Sequence, residues 1–181
     1  MGTNSTCGKY NCSNLKKLSE GGLLLKIELQ SFQNETAQIA ALTNYTLTND
    51  EFSAHPLEIL EQAAKTSSYH CVLISDKEVI VGFFVLDSGN DLTTYTAEPN
   101  ALLLRGYSID SSLQGKGYGT KSLAALQDYV RAHFRGIASV VLAVNKRNIP
   151  AQKLYLKSGF IETPRVVLGP RGEQFVYERR I

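Results

Sequence analysis

Gln114-Gly115-Lys116-Gly117-Tyr118-Gly119-Thr120 separates a strand-like run, 101–109, from a long helix-like run, 117–134. Three glycines alternate with larger residues, and Lys116 lies among them. A strand that turns through glycines into a helix start aims several free backbone N–H groups at one point. With the positive end of the helix dipole, those amides form an anion site. Such a site takes a phosphate or pyrophosphate, so the stretch reads as a holder for a nucleotide-containing cofactor. Two familiar glycine motifs do not fit. Thr120 stands where a dinucleotide fingerprint places its third glycine, and no acidic residue ends a strand about 20 residues on. No Gly-Lys-Ser/Thr follows a four-residue spacer, as a Walker-type phosphate loop requires.

Outward from this turn the pattern alternates. Upstream, 23–32 reads as a strand. The segment 35–47 carries apolar residues at helical spacing (Ala37, Ile39, Ala40, Leu42) behind a capping candidate, Asn34. A second short helix covers 56–65, with Pro56 in its first turn. The runs 69–75 and 78–86 form a hairpin around Asp76-Lys77, 88–100 is a polar loop, and 101–109 is a fourth strand. Downstream, the helix 117–134 buries Leu123, Leu126, Val130 and Phe134. The continuous apolar run 139–144 suits a strand covered on both faces. A helix over 148–158 has Asn148 as cap, Pro150 in its first turn and Gly159 at its left-handed end. Two strands, 160–168 and 174–179, close around Gly169-Pro170-Arg171-Gly172. The expected fold is α/β (α+β): one mixed, twisted central sheet flanked by helices. Residues 1–22 are rich in Asn, Ser, Thr, Gly and Lys and read as an appended leader or disordered tail, leaving 23–181 as one domain.

The glycine turn and the order of elements resemble the GNAT superfamily of N-acetyltransferases. Its signature, Gln/Arg-x-x-Gly-x-Gly/Ala, is met by Gln114-Gly115-Lys116-Gly117-Tyr118-Gly119. A second block, 148–160, matches the family's Asn-x-x-Ala-x-x-x-Tyr-x-x-x-Gly-Phe pattern through Asn148, Ala151, Tyr155, Gly159 and Phe160. The resemblance covers about 24–181, and 103–160 is its diagnostic part. It implies acetyl-CoA as co-substrate and no metal. The backbone of Gly115, Lys116, Gly117, Tyr118, Gly119 and Thr120 would surround the pyrophosphate, with Gln114 at its start. It also implies a splay between the strands 101–109 and 139–144. A pantetheine arm in that splay would pair with backbone of Tyr107, Ser108 and Ile109. Unpaired strand amides need such a partner. The Ile109 amide would face the thioester oxygen as charge develops. Asn148 would hydrogen-bond the cofactor arm, cap its helix, or do both. Tyr155 would be the general acid that protonates the departing thiolate, since a phenol is protonated at neutral pH. Its alternative reading is an aromatic packed beside Ala151 and Leu154.

No general base is assigned. Some relatives place a glutamate where Ala143 stands, and the strand 101–109 holds no acid. Glu98 precedes Pro99 in a loop, Asp110 suits a turn, and a water relay to bulk stays open. His55 reads as a cap or loop residue, His70 and His133 as structural, and Arg179-Arg180 as a solvated pair. Asp50, Glu51, Glu58 and Glu61 form either an acidic rim that attracts an amine or ordinary helix-surface charges. The acceptor is then a small-molecule or peptide amine. A non-catalytic acyl-CoA sensor on the same fold and a transferase of longer acyl chains are the alternatives.

Composition sets the bounds. A net charge of +2 without a basic block argues against a nucleic-acid partner. No apolar run approaches the roughly 20 residues of a membrane span. No signal-peptide core opens the chain, so the sequons at Asn4, Asn11, Asn34 and Asn44 are chance matches. The three cysteines, Cys7, Cys12 and Cys71, make no disulfide framework and no metal set. The expectation is a cytoplasmic protein with reduced thiols, and a possible homodimer.

Overall fold

The structure is a computed structural model that describes residues 26–48 and 51–181. The expectations for residues 1–22, with Cys7 and Cys12, and for Asp50 lie outside the described residues. In chain order the elements are β1 (Ile27–Ser31), α1 (Thr36–Thr43), α2 (Pro56–Ala63), β2 (Tyr69–Asp76), β3 (Val79–Asp87), β4 (Ala101–Ile109), α3 (Tyr118–His133), β5 (Ser139–Asn145), α4 (Ile149–Lys157), β6 (Ile161–Gly169) and β7 (Gly172–Arg180). Among the described residues they form one seven-stranded sheet in the order β1-β2-β3-β4-β5-β7-β6. Every pairing is antiparallel except β4 with β5. The expected order of strands and helices and the mixed sheet are both present.

The sheet is covered on both faces, which explains its near-continuous apolar central strands. Alternate residues of β2 and β3 divide between the two faces. Val72, Ile74, Phe84 and Leu86 join Leu102, Leu104, Leu123, Leu126, Val140 and Tyr155 under α3 and α4. Leu73, Phe83 and Val85 join Leu42, Tyr45 and Ile59 under α1 and α2.

Helix α1 differs from the sequence reading at both ends. It stops at Thr43 instead of reaching 47, because Thr43 and Asn44 turn their side chains back onto the carbonyls of Ile39 and Ala40. Asn34 does not cap α1. It sits at φ +58°, while Gln38 Oε1 accepts from the Gln33 amide at 2.9 Å. The polar segment before β4 also contains a short 3-10 turn, Asn90–Thr94. Helix α2 starts on His55, whose Nδ1 accepts from the Leu57 amide at 3.3 Å while Nε2 lies 3.0 Å from the Tyr45 carbonyl.

Strand β4 is held against β3 at very short range. A Cβ on Gly82 would lie 2.7 Å from the Ser108 carbonyl and 2.8 Å from the Cδ1 atoms of Ile109 and Ile74. Gly82→Ala therefore pushes the two strands apart. The expected loss is about 1–3 kcal/mol of stability, the usual cost of overpacking. It would be read as a lower urea midpoint at unchanged slope, and an unaltered midpoint would contradict the close approach.

Candidate active site

The parallel ladder between β4 and β5 covers only Ala101–Leu104 against Ser139–Leu142. Beyond Leu104 the two strands separate, although β4 continues to Ile109 and β5 to Asn145. The separation expected from the sequence is present, and its cause is local. The β3–β4 register slips between Phe83 and Val85, and Gly106 sits there at φ +58°. A slip of this kind inserts an extra residue, bends the strand and increases its twist. A side chain at Gly106 would be strained by the positive φ and would have to displace Ile59 Cδ1, 2.5 Å from its Cβ.

Past the bulge, the free edge of β4 can be read from its ladder. The Asp110 amide donates to the Val81 carbonyl at 2.9 Å, and Ile109 is opposite Gly82. Hydrogen-bonded and non-bonded pairs alternate in an antiparallel ladder. The Ile109 amide therefore faces away from β3, into the gap beside β5. Ser108 is paired with Phe83, and its hydroxyl accepts from Tyr45 Oη at 2.9 Å.

The glycine turn lies at one end of the gap. Gln114 Nε2 donates to the Ile109 carbonyl at 3.1 Å, bracing the turn against the strand end. Gly115 and Gly117 sit at φ +77° and +88°, and a Cβ on either would meet nothing within 4 Å. Gly117 is the N-cap of α3 and supplies no capping side chain, so the first-turn amides of a 16-residue helix face open space. Lys116 is exposed and stands outside the groove wall. Tyr118 is buried, with its hydroxyl donating to Asp76 Oδ2 at 3.1 Å. Tyr107 Oη lies 2.7 Å from Ser122 Oγ and 3.2 Å from the Gly119 carbonyl, which ties β4 to the first turn of α3.

Helix α4 forms the other wall. Asn148 Oδ1 accepts from the Ala151 amide at 3.2 Å, so it caps the helix, and Asn148 also lines the groove. Tyr155 is 7% exposed, edge-on to Tyr107 and Phe160 with centroids 6.1 and 5.7 Å away. Burial, followed by the neighbouring Tyr107, raises its phenol above the usual tyrosine range. It stays protonated at any physiological pH. The groove has a volume of about 980 Å³ and runs through the sheet. Gly115, Gly119, Leu154 and Tyr155 line it on the α3–α4 side, Phe52, Ile59 and Gln62 on the α2 side.

Residues 34–160 match the family model described as the acetyltransferase (GNAT) family. The chain belongs to the GNAT acetyltransferase family. It is 39% identical over 138 residues to the uncharacterized N-acetyltransferase YbbJ of Bacillus subtilis (strain 168), covering 75% of this chain and 86% of that protein. Solved structures share the fold at lower identity. One is an aminoglycoside acetyltransferase in complex with coenzyme A, at a TM-score of 0.69 and 16% identity, covering 85% of this chain and 94% of that one. Another is a Bacillus subtilis acetyltransferase in complex with CoA, at a TM-score of 0.60 and 14% identity, with 86% and 99% covered.

Within this GNAT acetyltransferase, several weighed candidates take structural places. Asp110 is buried and closes the turn after β4. Its carboxylate accepts from the Ser112 amide at 2.8 Å, the Ser112 hydroxyl at 2.6 Å and the Thr46 amide at 3.1 Å. Burial opposes ionisation there, but those donors outweigh it and hold the carboxyl below its usual range. A carboxylate so fully engaged is a poor proton acceptor. Glu98 accepts from the Asn100 amide at 3.1 Å and pairs with Arg180 at 3.3 Å. Arg179 is not a solvated side chain, because its guanidinium donates to the Leu123 carbonyl at 2.6 Å. His133 stacks on Tyr129 and His70 meets Phe134 edge-on. Glu51 pairs with Arg147 at 2.9 Å, Glu61 is exposed on α2, and Glu58 lines a small pocket with His55 and with Leu47, Ser53, Ala54 and Arg171, which also line the groove. No helix of the described residues is long and apolar enough to cross a membrane, and no cluster there could hold a metal ion.

The resemblance implies an acceptor site shaped by the first two helices, their connection and the last hairpin, but the sequence reading gave no role to the side chains that line the groove there. Arg105, Tyr69, Tyr95, Gln62 and Arg171 line it. One signal was available: Arg105 is the only charged residue in the apolar run 101–109.

Proposed function

We propose that this acetyltransferase moves an acetyl group from acetyl-CoA to the primary amine of a small molecule or peptide, by direct attack and with Tyr155 donating to the leaving sulfur. The observation that carries the reading is the free edge of β4 beside the gap, running from the open glycine turn to Tyr155. An extended amide-bearing arm can bond to that edge as an added strand would. The amides around Gly115, Gly117 and Gly119 suit its diphosphate end, with Gln114 holding the turn in place. Tyr107 and Ile109 flank the reacting end, and Asn148 keeps its Nδ2 for the arm while Oδ1 caps α4. The amine nitrogen forms a bond to the carbonyl carbon and the C–S bond breaks. The sulfur takes a proton or a hydrogen bond from Tyr155, and the nitrogen loses a proton to water. Acetyltransferases of this fold solved in complex with coenzyme A support the donor.

Calorimetry with acetyl-CoA, paired with thiol release across a panel of primary amines, tests this reading. The expected result is micromolar or tighter binding, with release that needs both a primary amine and acetyl-CoA. Binding without release for any amine would favour a non-catalytic acyl-CoA sensor, and no binding would remove the proposal. Faster release from propionyl- or succinyl-CoA would reassign the acyl group.

A further inference from the structure

Building on the acetyltransferase reading, we propose that the acceptor is a primary amine that also carries a carboxylate, and that Arg105 receives this carboxylate. Arg105 projects from β4 at the bulge onto the α2 side of the groove. Its position is fixed from several directions. Nε donates at 2.8 Å to Asp87 Oδ2, and Nη2 donates to Asp91. Asp87 is 2% exposed and is itself anchored, its Oδ1 accepting from the Ser68 hydroxyl at 2.7 Å and the Gly89 amide at 2.8 Å. The Tyr69 and Tyr95 rings lie 5.9 and 5.8 Å from the guanidinium carbon.

A guanidinium has five N–H donors, arranged as a rigid fork. Asp87 and Asp91 occupy Nε and Nη2, and Nη1 has no hydrogen-bond partner among the described residues. The side chain is 28% exposed and stands in the groove wall. Most of the entropy cost of ordering an arginine has therefore been met before a ligand arrives, and Nη1 keeps its donors on a side chain in the groove wall. A carboxylate can accept from Nη1 there, in a charge-assisted hydrogen bond. Asp87 balances the buried charge. Asp91 is 53% exposed at the rim, where solvent weakens its opposition to an incoming anion.

The rest of the wall agrees. Among the described residues its charged side chains are Arg105 and Arg171, while Gln62, Tyr69 and Tyr95 add uncharged polarity. A polycationic amine would be brought against the Arg105 guanidinium, whereas an amino acid or similar zwitterion would present its carboxylate to it.

The test compares matched acceptors on the full-length protein: a free amino acid, its amide and the corresponding amine without a carboxylate, at one pH. The ammonium of the free acid is more basic than that of the amide and less basic than that of the plain amine. Preference for the acid over the amide therefore runs against amine basicity and reports recognition of the anion, and the plain-amine arm is compared at equal free-base concentration. The wild-type protein is expected to favour the acid by about tenfold or more in kcat/KM. Arg105→Gln should erase that preference through the acid's KM and leave acetyl-CoA affinity unchanged, and Arg105→Lys should restore part of it. A purely structural arginine would lower all three acceptors alike. Arg105→Gln strips Asp87 of its counter-ion and can fail to fold, so the wild-type series stands as the decisive arm. Amides or plain amines used as well as acids, or no acid used at all, would overturn this inference while acetyl-CoA binding left the function standing. Loss of acetyl-CoA binding by the wild type would overturn both.

Discussion

Tyr155→Phe lowers turnover by about 10- to 100-fold and leaves acetyl-CoA affinity nearly unchanged. The size follows from what a buried phenol can offer. A reference phenol has a pKa near 10 and a reference thiol near 8.5, so complete proton transfer to a thiolate is uphill by about 2 kcal/mol. Burial raises Tyr155 further, which makes the transfer harder unless the sulfur is equally desolvated. Donating a hydrogen bond to the developing thiolate has no such penalty and is worth about 1.5–3 kcal/mol. Converted to rates, that is about 10- to 100-fold. A general acid that completed the transfer would contribute more, up to about 10⁴-fold. The Tyr107 and Phe160 rings hold the Tyr155 ring from two sides, so phenylalanine keeps the packing and the variant stays folded. Single-turnover rates and calorimetry separate the two readouts. Equal turnover in both proteins would remove Tyr155 from the chemistry.

Gly117→Ala weakens acetyl-CoA binding by about 100-fold. The residue sits at φ +88°, where an L side chain costs about 1–2 kcal/mol, so the backbone relaxes and the amides ahead of α3 turn away. Losing one or two charge-assisted hydrogen bonds to a diphosphate amounts to about 1.5–3 kcal/mol each. The stability change is small by comparison, and a built-in control separates the two effects. Gly136 lies in the turn after α3 at φ +74°, with nothing within 4 Å of its Cβ and no place in the groove wall. Gly136→Ala should show the same strain in a urea titration and unchanged acetyl-CoA affinity. If both variants bind as the wild type does, the glycine turn does not hold the diphosphate.

Much of the scaffold was readable from local rules. Helix α4 carries its own punctuation, with Asn148 at its start, Pro150 in its first turn and Gly159 at φ +85° after its end. The apolar run of β5 announced burial on both faces. Helix α1 was overestimated because periodicity counts apolar positions and ignores side chains that compete for the backbone, as those of Thr43 and Asn44 do. The glycine turn stood out because its conformational demand is written in the residues themselves. The acceptor side did not, because its parts come from distant places. Arg105 meets Asp87 of β3 and Asp91 of the 3-10 turn, 18 and 14 residues away in the chain, only once β3 pairs with β4. The acidic residues near α2 suggested an amine-attracting rim, yet the fold pairs Glu51 with Arg147, leaves Glu61 exposed and sets Glu58 in a small pocket beside Arg171. Charge counted along a chain does not say which way it will face.

One groove is lined from both sides of the sheet, by residues of α3 and α4 on one side and of α2 on the other. Thioester and amine can then be resident at the same moment without exchanging places, and no side chain has to ferry the acetyl group between them.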